Sequence, residues 1–437
     1  MSARWRWPVV VAWLAASLAV AACARRVLTA SGGTVVASPR RAAINASDRV
    51  VRIGLGMGRA AGGVSAAGEW RLYGGGGESL VARVPAAEVW RIERQGTRLR
   101  ALRPDGFATV WLEGSMAARP AEGSDALVSY GGRRYRGELL FVPADTGIVV
   151  VNRVRMDDYL RGVVPLEIGT RAAADSAAVQ AQAVTARSFA YVHLRDDPDA
   201  GSPRPYDLTA GTGDQIYGGA DVETAVSNAA VTATRGLVLK YAGRVVNAPY
   251  HSTCGGSTAA ASEVWRSRDE PYLRPVADRI PGSDRFYCDI APRYRWTRTL
   301  EGPTLRAALV RYLGTYTAVP GPNPGAPRDV QIDARTPSGR VGTLKIATDR
   351  GNYVLRGNDI RYVLRAPGGE ILNSTYFSVE TATGRDGTLA TLTLRGTGYG
   401  HGVGMCQWGA IGRARAGQDF LTILRTDSPG ATGGAVE

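Results

Sequence analysis

Cysteine is scarce in this chain: four occur in 437 residues, at Cys23, Cys254, Cys288 and Cys406. A protein of this length with so few is held by a hydrophobic core, not by a disulfide framework. Long apolar runs are lacking too. The apolar core of the N-terminal segment, residues 9–22, falls short of the roughly 20 residues a membrane-spanning helix needs. The glycine-dense stretch at 398–404 has no βαβ unit and no acidic ribose partner around it, which excludes a dinucleotide site. Ser252 lies on no nucleophile elbow, which argues against a Ser-His-Asp hydrolase. Between residues 49 and 145 no constellation of catalytic side chains occurs.

What is present is an ordinary globular composition, 44% hydrophobic and 21% charged. It supports a sizeable core. The 55 glycines point to many tight turns and a β-rich fold. Net charge is +14, from 53 Lys+Arg against 39 Asp+Glu. That favours an anionic partner, and nucleic acid, acidic lipid and cell wall all qualify; solubility accounts for the charge equally well.

Residues 1–22 read as an export signal, with Arg4 and Arg6 ahead of the apolar core. The signal ends Val20-Ala21-Ala22-Cys23, small residues before a cysteine, as in a bacterial lipobox. The mature chain is expected to start at Cys23, anchored to a membrane by acyl chains. Residues 23–48 are small, polar and basic, and read as a flexible tether.

The rest of the chain is organised around residues 152–191. A strand end runs into a short helix carrying Tyr159, Leu160 and Val163. Pro165 disfavours a helical Val164, so Glu167 is expected at the start of a new turn. A second helix follows from about Ser176. Val179, Ala183, Ala186 and Ala190 form one small-residue face, and Ala177, Ala181 and Val184 another, so it is buried on more than one side. Arg187 and Tyr191 share a side of it. Asp157 and Asp158 read as solvent-facing or helix-start charges. Glu167, a carboxylate on a bend against an apolar helix, is placed to have its pKa raised by desolvation.

Three separated stretches, DDYLRGVVPLE with AQAVTARSFA, YHSTCGGSTAAASEVW and GYGHGVGMCQWGA, resemble in order the motifs of the SpoIID/LytB family, the sporulation stage II protein D and amidase-enhancer proteins. The resemblance implies an α+β fold: a β-rich domain with a few helices over 134–430, preceded by a β-rich accessory region at 49–133 and followed by a tail at 431–437. It implies peptidoglycan lytic transglycosylation, which needs one carboxylate where an ordinary glycosidase needs two. Glu167 takes that role, as acid and then base. Arg187, Gln215, Tyr217, His251, Ser252, His401 and Gln407 are expected to bind the glycan. Gly255, Gly256 and Gly402 are expected to let backbone N–H groups approach it. The implied partners are peptidoglycan glycan strands, not nucleic acid, beside the membrane expected through the lipid anchor on Cys23. The alternative is a non-catalytic amidase enhancer, in which Glu167 only hydrogen-bonds a sugar and the partner is a cell-wall amidase.

Relatives can bind zinc in a segment where this chain has Thr209, Gly213 and Asp214, which do not make a zinc site, so no cofactor is expected there. Near the C-terminus, Thr426 and Asp427 stand where the family tends to carry rings. With Cys23 acylated, three cysteines remain. The expected outcome is a Cys254–Cys288 disulfide, with Cys406 a buried thiol. The alternative is a zinc site of the three thiolates with His251 or His401.

Overall fold

The computed structural model describes residues 45–58, 61–195 and 204–436; Cys23, the export signal and most of the tether lie outside them. Among the described residues no helix is long and apolar enough to cross a membrane. The fold is α+β and β-rich, as expected. Its central strand, Gly147–Arg155, is a near-continuous apolar run, buried over its first six residues. A strand of that composition needs cover on both faces. It lies inside a seven-stranded sheet whose order is 208–209, 50–58, 147–155, 138–144, 116–120, 70–74, 79–84. A six-stranded sheet, built from strands between residues 61 and 135, contributes to the same buried cluster through Val64, Trp90, Ile92 and Leu99.

This topology corrects the expected boundary at residue 133. The Val50–Gly58 strand pairs antiparallel with Gly147–Arg155 along its length, and Met116–Pro120 pairs with Glu138–Ala144. The region before residue 133 therefore supplies strands to the sheet that carries the central motif. The expected tail is also a strand: Thr432–Ala435 pairs with Leu237–Tyr241. The end of the expected tether is tied down, with Ala46 and Ser47 buried and the Ser47 hydroxyl accepting the Gly236 N–H at 2.7 Å. A second cluster, built on Leu305, Leu344, Ile346, Leu392 and Leu394, sits under the later sheets of residues 295–397.

Helix α1, Met156–Glu167, runs through Val164 and Pro165 without a break, so Glu167 is its last residue and does not begin a new turn. A proline in a helix removes one intrahelical bond. Here the loss falls in the last turn, and Val163, Val164 and Pro165 are all buried. The Gly218 N–H also holds that turn from outside, on the Gly162 carbonyl at 3.1 Å. Helix α2, Ser176–His193, is buried on several sides through Ala178, Val179, Ala181, Ala183, Val184, Ala186 and Ala190. Helix α3, Ala225–Ala233, starts on a Thr224/Ser227 capping box.

Arg187 is fully buried on α2. Its guanidinium meets Asp157 Oδ1 at 3.0 Å and donates to the carbonyls of Val231, Thr234 and Leu237 at 3.3, 2.8 and 3.0 Å. It thus ties α1 to α2 and satisfies carbonyls left open at the end of α3. One expectation is met and one is corrected. Asp157 is one of the two expected helix-start charges, in the first turn of α1 and buried against Arg187, whereas Arg187 does not bind a ligand, because every direction it points is occupied by its own chain.

Candidate active site

Glu167 sits half-buried at the C-terminal end of α1. Its carboxylate accepts the backbone N–H of Ile216 at 2.7 Å, and the Tyr250 hydroxyl lies near enough to favour its ionised form. Burial raises its pKa above the ordinary glutamate range, and the two donors offset part of that rise.

Behind it runs a directed chain of donors. Tyr159 O–H donates to Gln215 Oε1 at 3.1 Å. Gln215 Nε2–H donates to the Tyr250 oxygen at 3.0 Å, leaving the Tyr250 proton for Glu167. Tyr159, Gln215 and the Tyr250 hydroxyl are enclosed, and burial pushes both phenols well above their usual value, so they remain protonated donors. Gln407 opens the Gln407–Arg415 helix and donates through Nε2 to the main-chain carbonyl of Glu167 at 3.0 Å and to Gln182 Oε1 at 3.1 Å. Glu167 is thus held at its main-chain carbonyl by Gln407 and at its carboxylate by the Ile216 N–H, with the Tyr250 hydroxyl beside it. Next to Gln407, the half-exposed Trp408 ring lies under the Arg171 guanidinium at 4.7 Å, and Arg171 Nε holds the Ile168 carbonyl at 2.7 Å. The backbone N–H of Trp408 donates to the Ser252 carbonyl at 3.0 Å, which places the half-exposed Ser252 beside the start of this helix.

Of the expected binding residues, Gln215 and Gln407 meet Glu167 or its partner, and Ser252 lies on the same side. Others lie elsewhere. Tyr217 is buried, its hydroxyl donating to Asn152 Oδ1 at 2.7 Å. His251 Nδ1 donates to the Val403 carbonyl at 3.1 Å, and His401 Nε2 to the Tyr250 carbonyl at 2.8 Å. Burial lowers both imidazoles, His401 to about 3, so both rings are neutral at neutral pH. Their work is to join the Tyr250–His251 strand to Met405–Cys406, which run parallel.

The glycines serve the same end. Gly255 has φ +81°, and a Cβ there would meet Thr397. Gly402 has φ +93°, and a Cβ would overlap the Arg340 guanidinium. Gly256 faces the Phe286 ring. All three let the chain approach itself, which corrects the expectation that they leave room for a ligand.

The expected disulfide is absent: Cys254 and Cys288 are free, their sulfurs 3.5 Å apart. Neither histidine joins the cysteines; the fourth group beside them is Asp278. In the segment where relatives can bind zinc, the Asp214 carboxylate accepts the Thr209 N–H and hydroxyl at 2.8 and 2.6 Å. Tyr250, beside Glu167, and Tyr159, which reaches it only through Gln215 and Tyr250, were not expected at the site. Both lie inside the quoted motifs, Tyr250 first in YHSTCGG and Tyr159 inside DDYLRGVVPLE, and that position was the available signal.

These features define a β-rich α+β protein with one half-buried, hydrogen-bonded carboxylate at a helix end. Comparison with known proteins gives the family. The SpoIID profile, Stage II sporulation protein, matches residues 144–241, and a domain of unknown function matches 282–404. Stage II sporulation protein D of Bacillus amyloliquefaciens is 30% identical over 287 residues, 63% of this chain and 73% of that protein. An uncharacterised protein of Brachyspira hyodysenteriae is 30% identical over 294 residues, 67% of this chain and 70% of its own. The amidase enhancer of Bacillus subtilis is 28% identical over 400 residues, 84% of this chain but 51% of its own, so this chain spans about half of it. The chain belongs to the SpoIID family, and its function is related to the cell wall.

Proposed function

We propose that the protein is a peptidoglycan lytic transglycosylase. It cuts the bond from N-acetylmuramic acid to N-acetylglucosamine, with Glu167 as acid and then base. The observation that carries this reading is a half-buried carboxylate, held by the Ile216 N–H beside the Tyr250 hydroxyl, whose pKa burial raises. Protonated Glu167 gives its proton to the glycosidic oxygen as the C1–O bond breaks. The resulting carboxylate takes the proton of the muramoyl 6-hydroxyl, whose oxygen bonds to C1 and closes the anhydro ring. Glu167 ends protonated, and no water is consumed. A pKa lifted towards neutrality suits both steps. Trp408, with Arg171 over it, offers an aromatic surface beside the site on which a sugar ring can pack.

The test is digestion of purified peptidoglycan, intact and stripped of stem peptides, followed by mass spectrometry. Anhydro-muramoyl ends from the wild-type protein and none from Glu167→Gln support the reading. No such ends from either substrate overturn it.

The second reading, a non-catalytic amidase enhancer, is favoured by the relative of that name, whose match covers 84% of this chain. Under it, the protein leaves glycan uncut, raises the rate of a cell-wall amidase, and keeps that effect in Glu167→Gln. In both readings we place the protein outside the cytoplasm, held at a membrane through Cys23. Release of Cys23→Ala from membrane fractions, and an acyl mass on the unmutated N-terminal peptide, are the expected results.

A further inference from the structure

We propose that Cys254, Asp278, Cys288 and Cys406 form a structural zinc site that clamps the wall of the Glu167 site. One ligand atom from each of the four lies within 4.8 Å of all the others, and all four residues are buried. Ligands about 2.3 Å from a tetrahedral zinc stand about 3.8 Å apart, whereas bonded sulfurs stand about 2.05 Å apart. The 3.5 Å between the Cys254 and Cys288 sulfurs is close to the first spacing and far from the second. Three soft sulfurs and one carboxylate are a closed donor set suited to zinc.

The surroundings support the same assignment. Backbone N–H groups of Cys254 and Gly409 donate to the Cys406 sulfur at 3.2 and 3.3 Å, an arrangement that favours a thiolate. Asp278 is held on both oxygens, by the Cys288 N–H at 2.8 Å and by Arg413 at 3.0 Å. Arg340 is fully buried, and among the described residues no carboxylate lies within ion-pair distance of it. It donates to the Cys254 carbonyl at 2.6 Å, while its Nε and Nη1 have no partner. An unpaired buried cation is costly. Zinc with three thiolates and one carboxylate carries two net negative charges, which Arg340 and Arg413 offset. Each ligating thiol releases its proton on binding.

Position gives the site its purpose. It joins the loop after the Tyr250–His251 strand, the segment from Asp278 to the short 3-10 helix Tyr287–Ile290, and the N-cap of the Gln407–Arg415 helix. Gln407, next to Cys406, holds the Glu167 carbonyl, so a metal here fixes one wall of that site. The metal assignment stands whether or not the chain cuts glycan.

The full chain carrying Cys23→Ala, which leaves only the three buried cysteines, is the test material. It is expected to retain one zinc per chain after dialysis and to yield three free thiols when denatured with chelator. Cobalt(II) added to the metal-free protein should produce the near-ultraviolet sulfur-to-cobalt charge-transfer band and intense tetrahedral visible bands. Cys288→Ser and Asp278→Asn should each weaken cobalt binding at least about a hundredfold. If those variants do not fold, the cobalt spectrum of the unmutated site decides. A chain that holds no zinc and gives no charge-transfer band overturns the proposal. So does a cross-linked Cys254/Cys288 peptide in the non-reduced protein.

Discussion

At the scale of the residue, Glu167 is a carboxylate that the fold prefers to keep protonated. Its folded pKa is raised by burial, so its contribution to stability is fully present below the unfolded value and is lost as pH rises through the folded value. Glu167→Gln removes that dependence. The variant is expected to lose cleavage by at least about a hundredfold. Thermal unfolding of the two proteins should then diverge as pH rises, with the variant gaining relative to wild type. A variant less stable than wild type at alkaline pH would show that the ionised carboxylate is favoured. Tyr250→Phe removes a donor that favours the ionised form, so the alkaline limb of cleavage should move to higher pH while the fold is kept. An unmoved limb would separate Tyr250 from the titration of Glu167.

At the scale of the element, three helices meet on one guanidinium. Arg187 joins α2 to Asp157 of α1 and to the carbonyls at the end of α3. Arg187→Ala leaves Asp157 buried and uncompensated, at a cost of about 3–5 kcal/mol. Denaturant unfolding should show that loss. Glycan affinity measured below the transition should be unchanged, because the guanidinium touches no exposed surface. A loss of affinity at full stability would return Arg187 to the binding role read from its sequence.

At the scale of the whole molecule, the first strands and the organising motif share one sheet. Val50–Gly58 covers the edge of Gly147–Arg155, and the Met156 N–H that begins α1 donates to the Arg49 carbonyl at 2.8 Å. A fragment starting at residue 134 exposes that edge and opens the cluster containing Val51, Ile53 and Trp70. It is expected to be insoluble or to exchange its amide hydrogens rapidly. A fragment with native-like protection would re-establish an independent domain after residue 133.

The sequence by itself determined the helical spine and the carboxylate. The small-residue periodicity of α2 has no other use than close packing. Glu167 stood out as an acid beside apolar surface, and burial does raise its pKa. Tertiary structure decided what each polar residue faces. Asp157 and Arg187 are 30 positions apart, and no local pattern tells a paired buried charge from a solvated one. The glycines around His401 read as ligand space because a sequence shows a missing side chain without showing what fills the gap; here Arg340, Pro249 and His251 fill it. The three cysteines offered two pairings with chemistry but no geometry. Only the folded chain brings Asp278 among them in place of a histidine, because both rings are spent joining the strands at Tyr250–His251 and Met405–Cys406.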